Sequence, residues 1–213
     1  MDKNFKMVAK TFFGFEEILA KEIQQLGGQE VQTGTRVVSF SGDKGFMYKA
    51  NLSLRTALKV LKPIKTFKVF DDKSLYDGIS SINWSEFMSE KQTFVVDVTL
   101  YSEVFNNSQF VGLKTKDAIV DQFRTNMGIR PSIDKDFPDL RVHIHLDREY
   151  CTVSLDSSGD SLHHRGYRSA TNIAPINEVL AAGMLILAGW DGKSHFLDPM
   201  CGSGTILAEA AMI

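Results

Sequence analysis

The residues best suited to chemistry lie near the carboxyl end, in Phe196-Leu-Asp198-Pro-Met-Cys201-Gly202-Ser-Gly204-Thr205, which runs on into Ile206-Leu-Ala-Glu-Ala-Ala211. A short apolar segment ending in an acid, then two glycines one residue apart, then an apolar helical pattern reads as a strand-to-helix crossover. Gly202 and Gly204 allow backbone amides to approach a ligand closely, and Asp198 at the end of the strand can accept hydrogen bonds from it. The implied ligand is nucleotide-like. A dinucleotide fingerprint would place a third glycine where Leu207 stands, and no Lys-Ser/Thr pair follows as a phosphate loop requires, so neither NAD nor ATP fits. The bland alternative, a tight turn with no ligand, explains a bare Gly-x-Gly better than it explains the whole Asp198-to-Thr205 context.

Two further groups of residues carry charge in suggestive places. Lys114, Lys116 and Arg124 share the outward face of a helical pattern, where they could meet phosphates or simply be solvated. Arg165, Tyr167 and Arg168, with His163 and His164, combine charge and stacking surface in a segment that follows Ser157-Ser-Gly-Asp-Ser161, which suits single-stranded RNA; packing between domains is the competing reading. His143 and His145 alternate with apolar residues and share one strand face, but a third metal ligand is missing, so solvent exposure is expected and no metal site is assigned. Cys151 and Cys201 stand outside any Cys-x-x-Cys spacing and read as reduced thiols.

These residues need a scaffold, and the composition supplies one. The chain has 213 residues, 43% hydrophobic and 23% charged, with a formal net charge of −2. Collagen, coiled coil and disorder are excluded, and the length suits one large or two small domains. After Ala170 a single base, Lys193, faces four acids, Glu178, Asp191, Asp198 and Glu209, so the rest of the chain is close to charge balance and any RNA contact must come from a local patch. No run of about 18 apolar residues occurs, and the amino terminus lacks a signal-peptide core, so no membrane span is expected and a cytoplasmic location is the default.

Periodicity places the elements. A strand over 5–10 and a helix on Phe15, Ile18, Leu19, Ile23 and Leu26 ending at Gly27 are followed by a strand over 36–40, a helix over 46–54 and an extended segment over 58–69. A helix over 74–82, a strand over 93–101, a helix capped by Ser108 and closed by Gly128, and strands over 140–146 and 150–155 form a second α+β unit. Pro175 suits the first turn of a helix running to about Gly189, and His195–Asp198 reads as a strand leading into the glycine loop. Trp84, Trp190 and the phenylalanines are expected in the core. The last helical pattern is still running at Ile213, which suggests a piece of a longer polypeptide.

Asp198-Pro-Met-Cys-Gly-Ser-Gly-Thr205 resembles motif I of the class I S-adenosylmethionine-dependent methyltransferases, closest to the branch that modifies amino nitrogens of nucleic acids. Together with Ala174-Pro-Ile-Asn-Glu-Val-Leu-Ala-Ala182 it is similar to the THUMP-domain RNA methylases, among them the ribosomal RNA guanine-N2 methyltransferases. Val111-Gly-Leu-Lys-Thr-Lys-Asp-Ala-Ile-Val-Asp121, Arg130-Pro-Ser, Leu155-Asp-Ser-Ser-Gly-Asp-Ser-Leu162 and Arg165-Gly-Tyr-Arg168 extend the resemblance upstream.

The resemblance implies an α+β chain: a ferredoxin-like amino-terminal domain over 1–65, a THUMP RNA-binding domain over 66–157, a linker over 158–170, and the truncated start of a Rossmann-like α/β methyltransferase domain over 171–213. It implies S-adenosylmethionine as cofactor, with Asp198, Gly202 and Gly204 at its amino-acid end and Pro175, Asn177 and Glu178, with Asn172 and Thr171 more weakly, in the motif beside it. It also implies RNA, ribosomal before transfer RNA, as partner, with guanine N2 as the methylated atom. The family's catalytic Asn/Asp-Pro-Pro-Tyr/Phe motif is absent from the 213 residues, so no catalytic residue is assigned, the chain alone is expected to transfer no methyl group, and its cofactor affinity is expected to be weak. Two other readings stay open: a stand-alone RNA-binding adaptor, and a DNA adenine-N6 methylase that shares the motif style.

Overall fold

The computed structural model describes residues 3–168 and 175–213. The chain divides into two compact units, Met1–Val60 with Asp160–Ile213, and Leu61–Gly159.

The first unit opens with β1 (Phe5–Lys10), α1 (Glu16–Leu26), β2 (Gln29–Gly34), β3 (Val37–Gly42) and α2 (Lys44–Ser53), and takes the first residues of β4 (Lys59–Lys68). β3 pairs antiparallel with β1, Met7 opposite Phe40 and Ala9 opposite Val38, and on its other side with β2. The sequence pattern misses β2: in Gln29-Glu-Val-Gln-Thr-Gly34 only Val31 is even half-buried, so an edge strand of this kind carries no apolar alternation to read. α1 ends as expected at Gly27, whose φ of 102° lets its amide turn back to the Gln24 and Ile23 carbonyls. Met7, Leu19, Ile23, Val38 and Phe40 form the core, which Leu162 joins from the carboxyl-terminal part of the unit.

That part carries α5 (Glu178–Leu187) and α6 (Thr205–Met212). α5 begins later than Pro175 because the Asn177 carboxamide caps it, accepting from the Val179 and Leu180 amides. It stops at Leu187, before Gly189 turns into the left-handed region at φ 75°. Gly183 on α5 gives the Phe15 ring room: a Cβ there would lie 2.1 Å from it. Trp190 donates from Nε1 to the Ala210 carbonyl, tying the end of α5 to α6. The expected strand over 195–198 does not form; no strand among the described residues pairs with it, and an extended segment without a ladder has nothing to regularise it.

The second unit holds the rest of β4, α3 (Asp72–Ser80), a 3-10 turn (Trp84–Glu86), β5 (Phe94–Tyr101), α4 (Ser108–Met127), β6 (Leu140–Asp147) and β7 (Tyr150–Asp156). Its strands lie in the order β4-β7-β6-β5, with β5 parallel to β6 across the α4 crossover and the other pairs antiparallel. Asp71 and Ser74 form a capping box at α3. α4 is capped by Asn107 rather than Ser108, and Gly128 closes it with φ 70°. Trp84, Phe94, Ile119, Phe123 and Ile144 are central to the core, and the Gln122 side chain satisfies the Ser80 and Ile82 carbonyls and the Trp84 amide around it.

His143 is buried, not solvated: β6 is an interior strand, and Nε2 meets the Thr99 hydroxyl on β5 at 3.0 Å. Phe13, Phe70 and Phe137 stand out of the core, largely exposed in loops. No described helix is long and apolar enough to cross a membrane.

Candidate cofactor loop and charged clusters

The turn between Asp198 and α6 is built by its own backbone. One Asp198 carboxylate oxygen accepts the Met200 amide at 3.0 Å, and the Gly204 amide returns to the Cys201 carbonyl at 2.8 Å. Gly202 and Gly204 both have positive φ, 56° and 74°, and a Cβ at either would meet nothing within 4 Å, so the loop's glycines face open space. Gly204 caps α6 without a side chain to satisfy the first-turn amides, leaving N–H donors at the positive end of the helix. Asp198, Gly202 and Gly204 therefore fall together in one turn. An acceptor, an open glycine backbone and uncapped amides fit the polar, zwitterionic end of S-adenosylmethionine.

Of the other candidate cofactor residues, Pro175 and Asn177 lead into α5, with the Asn177 carboxamide taken up by its capping role. Asn172 and Thr171 lie outside the described residues. Glu178 is buried, and its carboxylate lies 2.9 Å from Nε of Arg168.

Arg168 reaches further. Its Nη2 donates to the Ile176 carbonyl at 2.5 Å and to the Thr205 hydroxyl at 3.0 Å. A second cluster surrounds Glu209 of α6, which is fully buried. Arg55 lies 3.1 Å and Arg165 3.0 Å from its two oxygens, and the Tyr167 hydroxyl donates to it at 3.1 Å. Arg55 also donates to the Met212 carbonyl at 2.5 Å and Arg165 to the Arg55 carbonyl at 2.7 Å. Burial, with the Glu209 charge adding to it, pushes the Tyr167 hydroxyl up to about 12, so it stays a donor. The three residues read from the sequence as an RNA-contacting stretch are thus brought onto Glu178 and Glu209.

Sequence reasoning missed Glu209, Arg55 and Thr205 as partners. A signal for Glu209 was present: an acid inside Ile206-Leu-Ala-Glu-Ala-Ala211 must be paired if that helix is buried all round. Arg55, more than 150 positions away in sequence, carries no such mark.

Lys114, Lys116 and Arg124 lie on α4, each beside an acid: Lys114 is 3.2 Å from Asp72, Lys116 2.8 Å from Asp117, and Arg124 3.4 Å from Asp121. Lys114 also sits 5.6 Å over the Tyr76 ring, in a shallow cavity shared with Asp72, Lys73, Asp117 and Asp121. The carboxylates of these pairs are exposed while Lys114 and Lys116 are half-buried, and such pairs near solvent contribute little, so the cations lie within a surface whose carboxylates balance them.

Three family models match the chain in succession: an RlmL ferredoxin-like domain over residues 6–61, a THUMP domain over 70–156, and an RMKL-like methyltransferase domain over 165–213. Among solved structures, a possible methylase from Clostridium difficile 630 is 33% identical over 99% of this chain with a TM-score of 0.86. SMU.472, complexed with SAH, is 30% identical over 100% at 0.85, and a predicted N6-adenine-specific DNA methylase from Listeria monocytogenes str. 4b F2365 is 30% identical over 99% at 0.85. The chain spans 55%, 56% and 55% of those three chains. The fold is a mixed α/β one with ferredoxin-like and THUMP domains followed by methyltransferase sequence. In these three successive segments the chain is similar to THUMP-containing methyltransferases.

Proposed function

We propose that this chain is the RNA-recognition and cofactor-loop portion of an S-adenosylmethionine-dependent RNA methyltransferase that acts on an exocyclic amine, the N2 of guanine in ribosomal RNA. The observation that carries the reading is the turn from Asp198 to Thr205, with its acceptor carboxylate, outward-open Gly202 and Gly204 and uncapped α6 amides. Its presence in a chain matched by a THUMP model, and the SAH carried by SMU.472, support it. The cofactor, when bound, supplies an electrophilic methyl group on a sulfonium. This chain's part would be to hold the amino-acid end of that group: the loop's backbone N–H groups would suit its carboxylate, and the Asp198 carboxylate could accept from its ammonium. Lys114, Lys116 and Arg124 hold RNA phosphates, giving a positioning contact without sequence choice. Orientation of the target nitrogen belongs to the Asn/Asp-Pro-Pro motif, which residues 1–213 do not contain.

The test is incubation of the full-length protein with methyl-labelled cofactor and, separately, unmodified ribosomal RNA, transfer RNA and duplex DNA. Label recovered as N2-methylguanine in ribosomal RNA is expected. Label in DNA adenine would favour the second reading, a DNA methylase, for which the described Listeria relative is the specific support.

A further inference from the structure

We infer that Arg168 is a positioning residue for the cofactor loop, a clamp that fixes the start of α6 against the start of α5. The inference rests on the cofactor reading above and adds a residue outside the motif that forms the loop.

A single guanidinium spans the two segments. Nε lies 2.9 Å from the carboxylate of Glu178, the first residue of α5; Nη2 donates to the carbonyl of Ile176, just before the Asn177 cap, and to the hydroxyl of Thr205, the first residue of α6. Thr205 directly follows Gly204, so fixing its hydroxyl fixes the exit of the glycine turn. That turn has little else to hold it. Leu197 and Met200 are almost wholly exposed, and the hydrogen bonds inside it are all local: Met200 amide to Asp198, Gly204 amide to the Cys201 carbonyl, Cys201 Sγ to the Gly202 carbonyl, and the Ser203 and Thr205 hydroxyls to each other. The clamp itself is shielded: Thr205 and Glu178 are buried, and the Arg168 side chain is only 17% exposed. In such surroundings a planar fork that donates to two acceptors and pairs with a carboxylate holds orientation in a way a lysine ammonium cannot.

Isothermal calorimetry with SAH on the full-length protein, paired with hydrogen exchange of the Ala208–Ala210 amides, the first of α6 to be hydrogen-bonded within the helix, in the absence of ligand, tests this. Arg168→Lys is expected to weaken SAH binding about tenfold, and Thr205→Val about threefold through loss of the hydroxyl that meets Arg168 and Ser203. Both should speed exchange at the start of α6. The double variant should bind SAH about as well as Arg168→Lys alone, because the two changes remove a shared contact. In steady state the cofactor KM should rise with kcat nearly unchanged, the mark of lost positioning in the bound ground state. Unchanged affinity and unchanged exchange in either variant, or losses that simply multiply in the double variant, overturn the clamp. Should Arg168→Lys fail to fold, Thr205→Val alone decides by the same two readouts. Should the unaltered protein fail to bind SAH, the cofactor reading fails, while α6 exchange in the ligand-free variants still decides whether Arg168 fixes the loop.

Discussion

In the second unit Trp84, Phe94, Phe123 and Ile144 are buried against one another across α4 and the sheet, and the polar groups among them are uncharged ones such as the Gln122 carboxamide and the buried Thr115 hydroxyl. In the carboxyl-terminal part of the first unit a carboxylate, Glu209, is buried just as completely, and two guanidiniums and a phenol meet it. The difference teaches what each region is for. An apolar core needs only volume and burial, so it closes on itself and leaves its outer faces free to meet a partner. A charged cluster is directional: it specifies which groups sit where, at the cost of desolvating them, and suits a place where a loop must be held in register.

The two cysteines give the largest contrast between these regions. Cys151 on β7 is buried, and burial pushes its thiol up to about 12; Cys201 stands exposed in the glycine turn. At pH 8 the Cys151 thiolate fraction is then roughly a thousandfold below that of an ordinary thiol. A chromogenic disulfide reagent on the native chain should titrate one thiol in a fast phase, absent in Cys201→Ser, and release the second only on denaturation. Fast reaction of both thiols would show that the second unit opens readily, and the contrast would collapse.

Next in size is the buried carboxylate. Glu209→Ala leaves Arg55 and Arg165 facing each other without their shared anion and should cost about 3 kcal/mol, the low end for breaking a buried pair because both guanidiniums retain some water. Amide exchange should rise through α6 while β6 keeps its protection. Equal loosening of β6 would mean that the two units unfold together and that no separate account of their stabilities is justified.

What the sequence made legible follows the same division. The second unit was readable almost element by element, because Val96, Val98 and Leu100 pack beside buried Phe94 on the core and the four-residue steps from Val111 to Phe123 follow the buried face of α4. β2 was not, since an edge strand with solvent on both faces leaves no such imprint. The glycine turn was legible as a tight turn into a helix from residue types alone, and the structure has both. Arg165, Tyr167 and Arg168 were legible as important but not as partners of Glu209 and Glu178, because an ion pair at long sequence separation has no period and no spacing. The expected strand before the turn shows the reverse: an apolar run predicts extension, but a strand also needs a neighbour.

The smallest expected effect concerns pH. His163 is half-buried beside the charged cluster, its Nδ1 2.8 Å from the Ser161 hydroxyl and its ring 3.8 Å from that of His164. Burial, then the neighbouring His164, with Arg168 and Arg165 adding to them against an opposing pull from Glu178, lowers its proton affinity below the ordinary imidazole value. The folded ring therefore resists a proton that the unfolded one accepts. The first unit should lose stability as the pH falls through about 6.5, the unfolded value, and the loss should level off once the folded ring is protonated too. Above neutrality His163 should contribute no pH dependence. His163→Gln removes the titrating group and should flatten this acid limb, read as α6 exchange between pH 5 and 7.5 and corrected for intrinsic exchange rates, while β6 exchange stays the same in both proteins. An acid limb equally steep in the variant would assign the sensitivity to other groups and leave the charged cluster indifferent to its histidine neighbour.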